Sequence, residues 1–367
     1  MNNFKKIGLT ALAGSLVAVS AQAGEMSVSA GANLTYKSGS VVNGNSSKGI
    51  GSDMDVAFSG GGELDNGVTF SVNTATNDAN SGLTSSYITI STPSFGTFTV
   101  GHSFGSSAGK FDEEVPQVYE QISDGSDSTQ GSANKIGDFM DNNVIAYTSP
   151  ALEVGGASIT LDAAYSPQAV DSRVGDGSAP GHSQTIGSGQ ELGVTIAYEG
   201  LKLGAYGAER ERKTAGVTQE SDEFNGVWYA KYSFGPVSIG YSESYLDSGV
   251  TGSATATNTA KALDHSPAGI FENVQMSVAF NINENFSISY TDSEDTYNPQ
   301  SGSAGRNGNT AATTAIKDVV QDVEAIQVAY SMGGMSIKAY QMETTNPAYN
   351  EAADDTKETE IALGLAF

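Results

Sequence analysis

The chain has 367 residues, 44 of them glycine and none cysteine, and it carries 42 acidic against 17 basic side chains for a net charge of −25. The absence of cysteine excludes a small disulfide-stapled scaffold, and so acidic a surface repels nucleic acid and leaves cations as the natural small partners. Forty-four glycines, sixteen tyrosines and an excess of Ser, Thr and Asn suit strands and turns better than helices.

Residues 1–23 open with Lys5 and Lys6, continue through an apolar run from Ile7 to Val19 and end on the small-residue exit Ala21-Gln22-Ala23. This pattern predicts a cleaved export signal, too short to span a bilayer, and leaves 24–367 as one mature domain. No later segment approaches the roughly 18 consecutive apolar residues of a transmembrane helix, so passage through a membrane requires a closed β-barrel.

From Met26 the chain alternates. Met26, Val28, Ala30, Ala32, Leu34 and Tyr36 share one face, and Ser27, Ser29, Gly31, Asn33, Thr35 and Lys37 share the other. Met54, Val56 and Phe58 lead through Asp65-Asn66-Gly67 to Val68, Phe70 and Val72, a hairpin signal because Asn-Gly accepts positive φ. Further hairpins turn at Pro93 to Gly96, Pro150 to Gly156, Glu199-Gly200, Gly235-Pro236, Asn281 to Asn285 and Gly333-Gly334. The last eleven residues, KETEIALGLAF, place Ile361, Leu363, Leu365 and Phe367 on one face, with Glu358, Glu360, Ala362, Gly364 and Ala366 on the other.

The count is sixteen strands, an even number that brings both ends of the sheet to one side. Tight turns alternate with long connections, expected near Gly39–Ser52, Thr74–Leu83, Ser103–Asp141, Ser166–Gly189, Lys213–Asp222, Leu246–Ile270, Thr291–Asp322 and Glu343–Thr356. Structureless connections of that length are uncommon inside a compact domain, whereas short turns at one end and long loops at the other are what an outer-membrane barrel requires. Strands of about nine to twelve residues fit a tilted membrane crossing, the polar alternate face fits a watery lumen, and aromatics near strand ends fit an interfacial girdle. A secreted β-sandwich is the plainer alternative, but its strands are shorter and both its inner faces are apolar. The expected fold is therefore all-β: a sixteen-stranded antiparallel transmembrane β-barrel whose last strand pairs with the strand from Met26 to Lys37.

Four stretches, VAFSGGGELDNGVTF (56–70), TPSFGTFTVGHSFG (92–105), NNVIAYTSP (142–150) and the terminal phenylalanine, resemble the general diffusion porins of Gram-negative outer membranes, most of all the alphaproteobacterial branch. The resemblance implies a homotrimer in the outer membrane, in contact with lipid and lipopolysaccharide, with the third loop folded into the lumen. It also implies that the terminal strand and Phe367 are read by the barrel assembly machinery. In such porins acids of the third loop line a constriction, which here points to Asp112, Glu113 and Glu114, and with less weight to Glu120 and Asp124. The wall departs from the family plan: Asp53 and Asp55 stand where relatives often place arginine, and Ala146 and His102 occupy other commonly basic positions. Lys37, Lys202, Arg210, Arg212, Lys231 and Lys338 remain as basic residues at lumen parity. The expected function is a water-filled, cation-leaning channel for passive diffusion of small hydrophilic solutes, biased by charge rings. The alternative is a non-conducting barrel whose long loops form a binding or adhesion surface.

Enzymatic chemistry finds little support. Gly101-His102-Ser103-Phe104-Gly105 matches the G-x-S-x-G pattern of a hydrolase elbow, but that motif needs a strand, a sharp turn and a helix within an α/β sheet. His182 and His265 lie in separate loops without metal-ligand spacing, and no phosphate-binding fingerprint occurs. No cofactor is expected. Loop acids such as Asp354 and Asp355 are hard oxygen ligands suited to calcium or to bridging divalent cations to lipopolysaccharide phosphates, but no loop has the spacing of a dedicated calcium motif, so solvation is the default.

Overall fold

A computed structural model of the protein describes residues 25–41, 45–78, 82–112, 114–122, 136, 140, 142–170, 173, 186–212, 222–249, 270–298, 318–349, 351 and 353–367. The export segment 1–23 lies outside them, as do Glu113, Asp124, His182 and His265. The strands in chain order are β1 (Glu25–Val41), β2 (Asn45–Glu63), β3 (Thr69–Asn77), β4 (Leu83–Thr92), β5 (Gly96–His102), β6 (Val144–Thr148), β7 (Leu152–Val154), β8 (Ala157–Ser166) and β9 (Ile186–Tyr198). They continue as β10 (Leu201–Arg212), β11 (Glu223–Phe234), β12 (Val237–Asp247), β13 (Ile270–Asn281), β14 (Phe286–Asn298), β15 (Val319–Met332), β16 (Met335–Thr345) and β17 (Thr356–Ala366).

Apart from β6 and β7, each strand pairs antiparallel with its chain neighbours, and β1 pairs with both β2 and β17, so the sheet closes on itself. β6 and β7 both pair with β8 and together form one stave, which makes a closed barrel of sixteen. The break between them follows from Pro150, which has no N–H to give a ladder. Ser149 spans it: its N–H donates to the Leu161 carbonyl at 2.8 Å and its Oγ accepts from the Leu161 N–H at 2.9 Å.

The closing seam has the expected partners. Leu34 faces Leu363, Tyr36 faces Ile361 and Lys37 faces Glu360. The ladder runs to the last residue, where the Ala30 N–H donates to the Phe367 carbonyl at 2.8 Å and the Phe367 N–H donates to the Ala30 carbonyl at 3.0 Å. Closure of this kind leaves no strand edge, the condition for a sheet in hydrocarbon.

Period-two alternation sorts the side chains. Leu34, Met54, Val72, Ile88, Val100, Leu161, Met276, Ile326 and Ile361 point outward and are exposed, as are the aromatics Tyr198, Tyr232, Phe234, Phe280, Tyr330 and Phe367 near the short-turn end. The short turns use the residues their geometry demands. At Glu199-Gly200 both φ angles are positive (+43° and +87°), and a side chain on Gly200 would stand 2.5 Å from the Ser233 carbonyl.

Several strands run farther than their hydrophobic pattern. β1 and β2 stay in register to Val41 and Asn45, through most of the connection expected at Gly39–Ser52, and β14 continues to Asn298, well past Thr291. Beyond the hydrocarbon both faces are wet, so apolar alternation stops while the backbone ladder continues. The expected turn at Pro150 to Gly156 likewise contains β7 and tightens onto Gly155-Gly156, with φ of +60° and +88°.

The seam register is testable because the chain has no cysteine. Leu34→Cys/Leu363→Cys is expected to cross-link under mild oxidation of the folded barrel, and Leu34→Cys/Leu365→Cys, two residues out of register, to cross-link poorly. Equal cross-linking of the two pairs on a non-reducing gel would contradict the register.

Candidate functional site

The buried core of this protein lies inside the barrel. Lumen-facing side chains of β9 to β17 are largely buried: Glu191, Tyr206, Tyr229, Gln275, Thr291, Gln327, Tyr340 and Ala362 are all below a tenth exposed. Their counterparts on β1 to β3, among them Ser27, Asn33, Asp53, Asp55, Ser71 and Asn73, keep partial exposure. The cover is L3, the loop that joins β5 to β6. It leaves the wall at His102 and returns at Val144, and its described residues lie along the inner face of the arc from β9 to β17.

L3 is fastened in sequence order. Glu191 of β9 accepts from the Ser106 hydroxyl at 2.7 and 2.9 Å and from the Ser107 N–H at 2.9 Å, holding the loop where its 3₁₀ turn Ala108–Lys110 begins. Phe111, fully buried, stacks on Tyr206 with ring centroids 5.2 Å apart and sits against Gly193, where a side chain would stand 2.4 Å from the ring. Farther along, the Val118 N–H donates to Ser289 Oγ at 3.1 Å and the Tyr119 N–H to Gln327 Oε1 at 2.7 Å, while the Gln327 amide donates to the Glu120 carbonyl at 2.8 Å. The Tyr119 hydroxyl donates to Glu360, and its ring lies 5.5 Å from that of Tyr340 and 5.7 Å from Lys338 Nζ. Backbone polar groups of an irregular segment that would be costly to bury unpaired are thus met by hydroxyls, amides and carboxylates of the wall.

Ion pairs, some to L3 and some within the wall, take up most of the basic residues at lumen parity. Glu114 binds Lys202 at 2.8 Å and Lys231 at 2.9 Å, two lysines that face one another across β10 and β11. Lys110 of L3 pairs with Asp162, which is almost wholly buried, and Lys37 binds Glu358 at 2.7 Å and lies 4.0 Å from Glu360. Arg210 holds Glu223 at 2.6 Å in a buried pair, and Arg212 approaches the same carboxylate at 3.4 Å.

Set against the expectations, Asp112 is half-buried beside Phe111, and Glu120 is half-buried near Glu360 of β17. Glu114 does face basic wall residues, but in direct contact and not across an open gap. Arg210 and Arg212 belong to a buried pair at the loop end of β10 and are not open wall charges. His102 is corrected: it follows Phe98 and Val100 in parity, away from the lumen-facing row Thr97, Thr99 and Gly101, and its Nδ1 accepts from the Asn143 N–H at 3.3 Å. Ser103 of the hydrolase-like motif accepts from Arg173 at 2.9 Å, so motif and histidine brace the root of L3. Glu358 and Glu360 are buried, the first accepting from the Tyr340 hydroxyl and the second from that of Tyr119 in L3. Sequence reading missed Glu191, Asp162 and Gln327. Each was visible as a polar residue at lumen parity, but its partner lies 85, 52 or 208 positions away.

Glu120 has its carboxyl pushed up to about 7, first by burial and then by Glu360, with Glu358 adding to the rise and Lys37 and Lys338 opposing it. The neighbouring Tyr119 hydroxyl is raised as well, by burial and by its bond to Glu360. Among the described residues no three His, Asp or Glu side chains are gathered as a metal site.

A model of the Gram-negative porin family matches residues 8–367. No curated protein sequence matches the chain. Solved structures share its fold at low identity. The anion-selective porin from Comamonas acidovorans is 13% identical with a TM-score of 0.62, over 94% of this chain and all of that one. Salmonella typhi OmpF in complex with daunomycin is 11% identical with a TM-score of 0.62, over 93% and 97% of the two chains. OmpT of Vibrio cholerae in a trimer form is 13% identical with a TM-score of 0.58, over 94% and 100%.

Because burial and Glu360 hold the proton on Glu120, this carboxyl is expected to titrate near pH 7, and it favours the folded state less as pH rises from the ordinary carboxylate range through that point. Carbon-detected NMR of the labelled side chain should show the midpoint, and Glu360→Gln should lower it. A midpoint in the ordinary carboxylate range, or one indifferent to Glu360, would refute the assignment.

Proposed function

Because the chain belongs to the Gram-negative porin family, it forms an outer-membrane channel for passive diffusion of small hydrophilic solutes, and we propose that this channel favours cations. The observation that carries the reading is the fate of the bases. Lys37, Lys110, Lys202, Lys231, Arg210 and Arg212 each lie against a carboxylate, and Glu114 alone engages two lysines. Asp53 and Asp55 stand on the lumen face of β2, on the arc that remains partly exposed. Those bases therefore present little unbalanced positive charge, while Asp53 and Asp55 add negative charge on the partly exposed lumen face of β2, where field lines focus within low-dielectric walls. Glu120 adds to the same sign above its titration point. The Comamonas acidovorans porin is anion-selective on a similar fold, so the sign of selectivity belongs to the side chains and not to the barrel.

The reading includes a homotrimer, supported by the Vibrio cholerae protein solved in a trimer form. It includes removal of residues 1–23 on export, recognition of Phe367 by the barrel assembly machinery, and contact of the outer surface with lipid and lipopolysaccharide. The exposed Asp354 and Asp355 beside β17 suit divalent cations bridged to lipopolysaccharide phosphates.

Purified protein in planar bilayers is expected to give ion-sized conductance steps, and the reversal potential across a potassium chloride gradient to have the sign of a cation-preferring pore. Asp53→Asn/Asp55→Asn should lower the cation preference, and Glu114→Gln, which releases Lys202 and Lys231, should lower it further. An anion preference in the unmodified channel would overturn the charge argument. Absence of steps from folded protein would overturn the channel itself.

A further inference from the structure

We infer that Gly240, on the inner face of β12, is a specificity-determining residue: its missing side chain sets how far L3 stands back from the passage, and hence the largest solute that enters. The inference rests on the channel reading but not on its cation preference.

Gly240 faces Lys231 of β11 and Ser277 of β13 in register, and L3 crosses directly over it. A β-carbon built there would stand 2.4 Å from Pro116 Cδ, 3.1 Å from Val115 Cα and 3.3 Å from Val115 Cβ. These are a closed ring and a stretch of backbone, not the free end of a flexible side chain, so they cannot swing aside. Sliding along the wall is blocked too. One residue before the crossing Glu114 is held by Lys202 and Lys231, at the crossing the Pro116 carbonyl accepts from Ser277 Oγ, and two residues beyond it the Val118 N–H is held by Ser289.

The direction left open is inward. Ordinary carbon contact begins near 3.5 Å, so a single methyl moves this part of L3 into the lumen by about 1 Å. Gly240 does not have a positive φ, so alanine suits the strand backbone and the requirement for glycine here is one of space. Gly49 on β2 is a matched contrast, since a β-carbon there meets nothing within 4 Å.

The test measures single-channel conductance, and the swelling rate of channel-containing liposomes in sugars of increasing size, for the full mature chain and for Gly240→Ala, Gly240→Val and Gly49→Ala. Conductance and the sugar cut-off should both step down from the unmodified channel to Ala to Val, with reversal potential and the Gly49→Ala channel unchanged. Gly240→Ala/Pro116→Ala, which removes the nearest obstructing atom, should recover conductance toward the unmodified value. Folded Gly240 variants with unaltered conductance and cut-off would overturn the inference while leaving the channel reading intact. An unmodified chain without conductance would instead refute that reading. If Gly240→Ala yields no folded barrel, the double variant decides: a folded channel of near-unmodified conductance supports the contact, and an unfolded one overturns it.

Discussion

Everything in this protein depends on closing the sheet. In hydrocarbon an unpaired N–H or C=O costs several kcal/mol, so the backbone must satisfy itself, and strands can do so only as a ring. The seam between β1 and β17 meets that condition down to Phe367, whose N–H and carbonyl both bind Ala30. Once the ring is closed, alternation does the rest. Apolar residues face outward, polar residues face a lumen, and the tight turns are pushed to one end because hairpins must start and stop at the same two levels.

Closure creates a second problem, because a ring of this size encloses a channel too wide to select. L3 answers it by building a core where a soluble protein would not have one, against the inner wall. The fastening is mixed in character: a buried carboxylate at the root, a ring in a side-chain-free notch, an ion triad at Glu114, and a series of hydroxyl and amide contacts ending at Glu360. Such a buried polar network is costly where incomplete and rigid where complete. The described part of L3 thus covers one arc, while lumen-facing side chains of β1 to β3 keep partial exposure.

That asymmetry also decides what the charges do. A net charge of −25 attracts cations in a general way. Locally, Glu114 of L3 pairs Lys202 and Lys231, while acids of the wall pair Lys37, Arg210 and Arg212. Glu114 illustrates the point, since a loop acid that reads as an open constriction charge serves instead to occupy two wall lysines.

By itself the sequence determined the barrel, the number of staves, the seam partners and most turn positions, through a period-two pattern and turn chemistry that are local in the chain, whereas the inward third loop followed only from the resemblance to porins. Strand ends were legible only to the edge of the hydrocarbon, because beyond it hydrogen-bonded backbone no longer demands apolar alternation. His102 was placed on the wrong face because strand parity counted from Val100 was not carried to the strand end. What only the tertiary structure decided is which lumen charges are paired, and with what. Glu191 with Ser106, Lys110 with Asp162, Lys37 with Glu358 and Tyr119 with Glu360 join residues from 52 to 321 positions apart. The fate of a charge depends on a partner within about 4 Å, and no periodicity along the chain carries that distance.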